Sequence, residues 1–212
     1  MLTIGLLAAA GTAQAQTKTA ITSDQGYAEG FIQSAFGNVT SQSFGLELGY
    51  TVMPNLQVFV EGGRTRDVAT PAIGAAAAAI AGGLSQTQTG VSYSVKQPVT
   101  FGDAGVRYLI DLDNPKFTPY VLAGVGIAQV EQNVRFLVNG TDVTDTIQQF
   151  GVTLGSDLSG HFTKALIVLG GGISVPVWRQ VVGDLQFRYG RIFAEGQGIN
   201  MSRAGLGIGI RF

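Results

Sequence analysis

Cysteine is absent from the 212 residues and histidine occurs once, as His161. That excludes disulfides, thiol nucleophiles, zinc–thiolate and iron–sulfur sites, and any histidine-rich metal centre. Charge is scarce as well: 13% of residues are charged, against about 25% in a typical soluble domain. The 13 basic and 14 acidic side chains leave a net charge of -1. Nucleic acid is therefore not an expected partner, because proteins that bind it show a basic excess. No segment beyond the N-terminus reaches the ~18–20 continuous apolar residues of a transmembrane helix, and no motif asks for a cofactor.

What the chain has in quantity is glycine, 31 residues, roughly twice the usual share of about 7%. Hydrophobic residues make up 45% and the mean hydropathy is +0.27. Such a chain is apolar enough to fill a large core or to face lipid, and intrinsic disorder is excluded.

Residues 2–10, LTIGLLAAA, form an apolar stretch followed by Ala13-Gln14-Ala15, which fits the small-x-small pattern of a signal peptidase site. This predicts a signal peptide over residues 1–15 and a mature domain over 16–212. The competing reading is a buried N-terminal helix, but nine apolar residues are too short to span a bilayer.

From residue 26 onward apolar side chains recur with period two, the signature of half-buried strands. In residues 43–52, Phe44, Leu46, Leu48, Tyr50 and Val52 alternate with Gly45, Glu47, Gly49 and Thr51. A turn at Met53-Pro54-Asn55 leads into residues 56–64, where Leu56, Val58 and Val60 oppose Gln57, Phe59 and Glu61. The same pattern runs through 99–110, 118–130, 180–191 and 202–212, more loosely through 26–36, and least clearly through 164–175. These make eight strands of about ten residues, the smallest usual number for a closed membrane barrel. The expected fold is all-β, an eight-stranded antiparallel up-and-down transmembrane β-barrel.

Both soluble and membrane barrels alternate, so the polar face decides between them. Here it carries glycine repeatedly and few charges: Glu29, Glu47, Glu61, Asp103, Arg107, Asp184, Arg188, Arg203 and Arg211. A water-facing surface would be rich in Lys, Thr, Ser and Glu, whereas glycine suits an interior only wide enough for side chains to fill it. Five acids and four bases nearly cancel, and buried charges persist when paired. An internal salt-bridge network is expected, with the glycines making room for the arginines. Glu47 and Glu61 should lie across from each other in their hairpin, with Arg107 or Arg188 as the cation between them. A catalytic carboxylate pair is the functional alternative.

Connections near 53–55, 111–117 and 176–179 are short, while those at 37–42, 67–98, 132–163 and 193–200 include the two longest. Short turns are periplasmic and long loops extracellular in such barrels, which places both termini in the periplasm. Residues 71–84, PAIGAAAAAIAGGL, read as a short helix in the second loop, either a lid that stiffens the loop or, being free of charge, a membrane- or partner-binding helix. Loop 132–163 is expected to extend as hairpin strands around Asn139-Gly140. An edge there, or loop 67–98, is the candidate surface for an extracellular partner.

Catalysis would have to use His161 with Ser156, Ser159 or Asp157, which are close in sequence on one loop and prove nothing. Gly170-Gly171-Gly172 lacks the Lys-Ser/Thr and helix of a phosphate loop. Asp142 and Asp145 lack the rest of a calcium loop. No catalytic, cofactor or metal residues are assigned, and the chain is not expected to be an enzyme.

Three stretches carry a family resemblance. Pro119-Tyr120-Val121-Leu122-Ala123-Gly124-Val125-Gly126 resembles the Pro-Tyr-x-x-x-Gly-x-Gly opening of a mid-barrel strand. The pair from Phe44 to Tyr50 and Leu56 to Gly63 surrounds a Pro-Asn turn. The terminal strand from Leu206 to Phe212 ends in an aromatic residue with apolar residues at alternate positions before it. Together they are similar to the OmpA-like and OmpX-like group of small outer-membrane β-barrels. The resemblance implies that Leu206, Ile208, Ile210 and Phe212 are read by the barrel-assembly machinery. It also implies residence in the lipid of a Gram-negative outer membrane, and a structural or adhesive role with an occasional narrow conductance. Three alternatives remain: a narrow ion or small-solute channel, a lipid-modifying barrel enzyme, and a soluble lipocalin-like carrier with its apolar face inside.

Overall fold

Alternating β-branched and aromatic residues suit a pleated surface packed on one side, and nearly every such segment of the chain is a strand. In chain order the elements are β1 (Gly26–Phe36), β2 (Ser41–Met53), β3 (Leu56–Thr65), α1 (Pro71–Leu84), β4 (Val91–Lys96), β5 (Val99–Leu109), β6 (Thr118–Val138), β7 (Thr141–Asp142), a 3-10 turn (Thr144–Phe150), β8 (Ser159–Trp178), β9 (Val181–Ile192) and β10 (Ile199–Arg211). The structure is a computed structural model and describes residues 25–37, 39–112, 116–155, 158–194 and 198–212. The expected signal peptide 1–15, the Asn114-Pro115 part of one turn, and Ser156 and Asp157 lie outside the described residues.

Eight strands form a closed antiparallel ring, β1-β2-β3-β5-β6-β8-β9-β10, sealed where β1 meets β10 from Tyr27 opposite Arg211 to Phe36 opposite Ser202. One end of the ring carries the short turns together with Gln25 and Phe212, and the other carries the long connections. The faces divide as the period requires. Ile208, Ile210 and Phe212 are 66%, 52% and 62% exposed on the outer wall, while Arg203 on the same strand is fully buried within. Apolar residues line the outside of the other strands in the same way, including Leu46, Leu48, Val60, Val125, Ile127 and Leu169.

Several boundaries differ from the sequence-based expectation. β6 runs on to Val138 and β8 starts at Ser159, because their pairing continues above the ring to Asn133 opposite Ser159. Loop 67–98, expected to hold only a helix, also contains β4, which pairs with Asn133 to Val138 of β6. Its Val91 and Val95 pack under α1 and not into the ring. In loop 132–163 the Asn139-Gly140 turn is present, with Gly140 at φ 82°. The returning strand is only Thr141–Asp142, however, before the chain coils into the 3-10 turn. The Pro54-Asn55 turn has two residues rather than three, and a register shift between Thr51 and Met53 absorbs the difference.

Above the ring, Ile73, Ala77, Ala81 and Leu84 of α1 pack with Val134, Phe136, Ile147 and Leu158 into a second apolar cluster. The helix starts at Pro71, whose missing amide suits a first-turn position. One face of α1 thus packs against the loops.

Candidate functional site: the barrel interior

Four carboxylates stand side by side on four neighbouring strands. Glu29 of β1 is opposite Glu47 of β2, which is opposite Glu61 of β3, which is opposite Asp103 of β5. All four are 5% exposed or less. The register follows from the hairpin: counting back from Tyr50 opposite Val58 brings Glu47 to Glu61.

Arginines from β5, β9 and β10 reach this row across the interior. Arg188 Nη2 donates to Glu47 at 2.8 Å and its Nε to Glu61 at 3.3 Å. Arg107 on β5 reaches Glu47 at 3.2 Å and Asp184 on β9 at 2.9 Å. Arg203 Nη1 donates to Glu61 at 2.8 Å. Of the nine expected lumen charges, the structure therefore joins Glu47, Glu61, Asp184, Arg107, Arg188 and Arg203 in one chain of bridges. Glu29 and Asp103 are not among these bridges. Glu29 accepts from Gln186 at 2.6 Å. Both oxygens of Asp103 lack a hydrogen-bond partner, as do Nε and Nη2 of Arg203. Arg211, at the rim by the turns, donates to the Ser174 hydroxyl at 2.8 Å.

Sequence reasoning missed the aromatic residues of this network. The Tyr27 hydroxyl donates to Glu47 at 2.6 Å and the Tyr120 hydroxyl to Asp184 at 2.6 Å. The Arg107 guanidinium lies 3.5 Å from the centre of the Tyr120 ring and 5.0 Å from that of Tyr27. Arg203 stacks 4.2 Å from Phe101. Their position was readable, since Tyr27 precedes Glu29 by two residues and Phe101 precedes Asp103 by two, placing each on the charged face. Glycine serves these rings more than the arginines. A Cβ on Gly49 would occupy the Tyr27 ring, and one on Gly172 would meet the Tyr120 hydroxyl. A Cβ on the inner glycine Gly170 would meet the Arg188 side chain.

Nearer the loops the interior turns apolar. Phe31, Val99, Phe101, Ala128, Val130, Leu166, Val168, Ile192, Ile199 and Met201 are buried together, with Val68 laid over them from the chain leading to α1. The cluster also takes in Phe59, Tyr120 and Leu122, and it interlocks with the polar network, since Arg203 lies over the Phe31 and Phe101 rings and Tyr120 belongs to both.

Outside the lumen the sequence-derived candidates do not converge. His161 is exposed on β8 opposite Glu131, whose carboxylate is bridged at 3.1 Å by Arg64. Asp142 accepts from both the hydroxyl and the amide of Thr144, which hold its carboxyl below the usual carboxylate range. No group of three or more acidic or histidine side chains among the described residues is arranged to hold a metal.

No family model and no curated protein matches this chain. Solved structures do. Neisserial surface protein A is 15% identical, with 88% of this chain and 96% of that one covered and a TM-score of 0.54. The N-terminal β-barrel domain of Pseudomonas aeruginosa OprF is 16% identical, with 89% and 98% covered and a TM-score of 0.51. At such identities the likeness is one of fold: the chain has the architecture of the small outer-membrane β-barrels.

Proposed function

We propose that this protein is an integral outer-membrane β-barrel of a Gram-negative bacterium with a structural or surface-interaction role, its lumen plugged and without catalysis. The observation that carries the reading is the set of bridges from Arg188 and Arg203 to Glu47 and Glu61, together with the apolar cluster packed around them. Guanidiniums held by buried carboxylates fill the interior with paired charge, and the Phe, Val, Leu and Ile side chains packed with them offer water few partners. The outer wall supports the membrane assignment, because an exposed apolar band of this size is untenable in water.

In this orientation the short turns and both termini face the periplasm and the long loops face outward. Leu206, Ile208, Ile210 and Phe212 then serve as the signal for the barrel-assembly machinery. Loops 67–98 and 132–163, stiffened by α1 and β4, form the surface offered to an extracellular partner. Single-channel recording of the reconstituted protein tests the plug: no conductance is expected, and discrete opening steps would make it a channel. Envelope fractionation tests the location. The protein should extract only with detergent and shift in gel mobility on heating. Unchanged lipid profiles after His161→Ala are expected of a barrel without lipid-modifying activity.

A further inference from the structure

The outer wall has a notch at the seam where the barrel closes. Ala28 and Gly30, facing out from β1, form its floor, Leu46 and Leu48 one side, and Ile208 and Ile210 the other, with Val181 at one end. The register explains the shape. Ala28 sits between Leu48 and Ile210, and Gly30 between Leu46 and Ile208, so two small residues separate two ridges of large aliphatic ones. The hollow measures about 520 Å³. Toward the turns it is bounded by the Phe212 ring, which lies over Gly26, and toward the loops by the exposed Ile32. The floor from Ala28 to Gly30 spans about 7 Å of strand, room for a segment of one acyl chain.

Resting on the outer-membrane reading above, we propose that this notch is a site for one acyl chain of a phospholipid from the leaflet on the turn side, its phosphate meeting Arg179. Leu46, Leu48, Val181, Ile208 and Ile210 give it aliphatic walls, with Glu29 and Gly209 also bordering it, and Arg179 is a nearby cation. Arg179 lies in the turn two residues before Val181, is exposed, and stacks 5.1 Å from the exposed Trp178 ring. An amide–carbonyl bond of 2.9 Å from Arg211 to Gln180 holds that turn against β10 beside Ile210. An apolar notch with an interfacial Trp-Arg pair in the turn beside its Val181 matches a phospholipid in polarity.

Hydrophobicity supplies no preference inside a bilayer, where lipid tails are as apolar as leucine. Contact does: a gap on the wall forfeits dispersion energy until a flexible chain fills it. A second copy on a twofold axis through this face would set notch against notch and leave the hollow unfilled. The lipid, continuous with the aliphatic band around it, is the occupant that fits.

The test uses full-length protein in vesicles of phosphatidylethanolamine and phosphatidylglycerol, extracted gently and weighed by native mass spectrometry. A Cβ on Gly30 touches only Leu46, at 3.5 Å, so Gly30→Leu fills the notch without disturbing the barrel. The wild type should retain a phospholipid, and Gly30→Leu should retain at least about tenfold less. Arg179→Gln should lose the excess of phosphatidylglycerol over phosphatidylethanolamine. Equal retention by Gly30→Leu, or an unchanged headgroup preference in Arg179→Gln, would overturn the site. So would efficient barrel-to-barrel crosslinking through Leu48→Cys, a clean probe in a chain without cysteine. Failure of the wild type to insert into vesicles at all would instead sink the membrane reading on which the site depends.

Discussion

Glu47 and Glu61 stand directly opposite each other on adjacent strands, and the single guanidinium of Arg188 answers both, at 2.8 and 3.3 Å. Removing it leaves Glu47 to Arg107 and Glu61 to Arg203, each with one cation fewer in a buried interior, and breaking a buried pair costs about 3–5 kcal/mol. Arg188→Met should therefore lower barrel stability by that order, read from urea unfolding in lipid vesicles by loss of heat-modifiable gel mobility. The companion Glu47→Gln, Arg188→Met double variant should recover part of the loss. If the single variant unfolds like the wild type, the bridges contribute nothing.

Gly49 and Gly30 make a matched pair for the role of glycine. Gly49 faces inward under the Tyr27 ring, and Gly30 faces outward with only Leu46 at its edge. Gly49→Ala must displace the ring and loosen the 2.6 Å bond from Tyr27 to Glu47, an overpacking that costs about 1–3 kcal/mol. Gly30→Ala should fall within about 0.5 kcal/mol of the wild type in the same assay. Equal effects would mean that strand glycine here reflects backbone conformation and not close approach.

Asp103 ends the row of carboxylates, opposite Glu61, with neither oxygen hydrogen-bonded. A buried charged group without partners costs more than a neutral one. Asp103→Asn should stabilise the barrel by about 1 kcal/mol, seen as a higher urea midpoint with unchanged slope. A lower midpoint would show that the carboxylate is satisfied in the membrane by water or by Arg203.

The strand faces were legible because period two survives every tertiary influence once one face meets lipid and the other a narrow interior. The opposition of Glu47 and Glu61 followed from the tight hairpin, whose turn sets the register. Which arginine reaches which carboxylate was not legible, because those contacts cross the barrel and depend on strand stagger, which no local pattern encodes. Tyr27 and Tyr120 escaped notice for a different reason: an aromatic ring with a polar tip suits either face. β4 was hidden because its inward residues, Val91 and Val95, pack on a helix rather than in the ring.

Ala77 tests whether the loop layer is a unit separate from the barrel. It is wholly buried in the middle of α1, in a cluster that shares no residue with the apolar layer inside the ring. Ala77→Lys forces a charge into that cluster with no acid on α1 to receive it, a change expected to cost several kcal/mol locally. Because the ring's strands pair without the helix, the damage should remain local. Limited proteolysis should cut within residues 67–98 in the variant and spare them in the wild type, while the heat-dependent gel shift and the urea midpoint of the barrel stay unchanged. A barrel that unfolds together with the helix would mean the loops are part of its core, and loop substitutions could then no longer be used to probe partner binding alone.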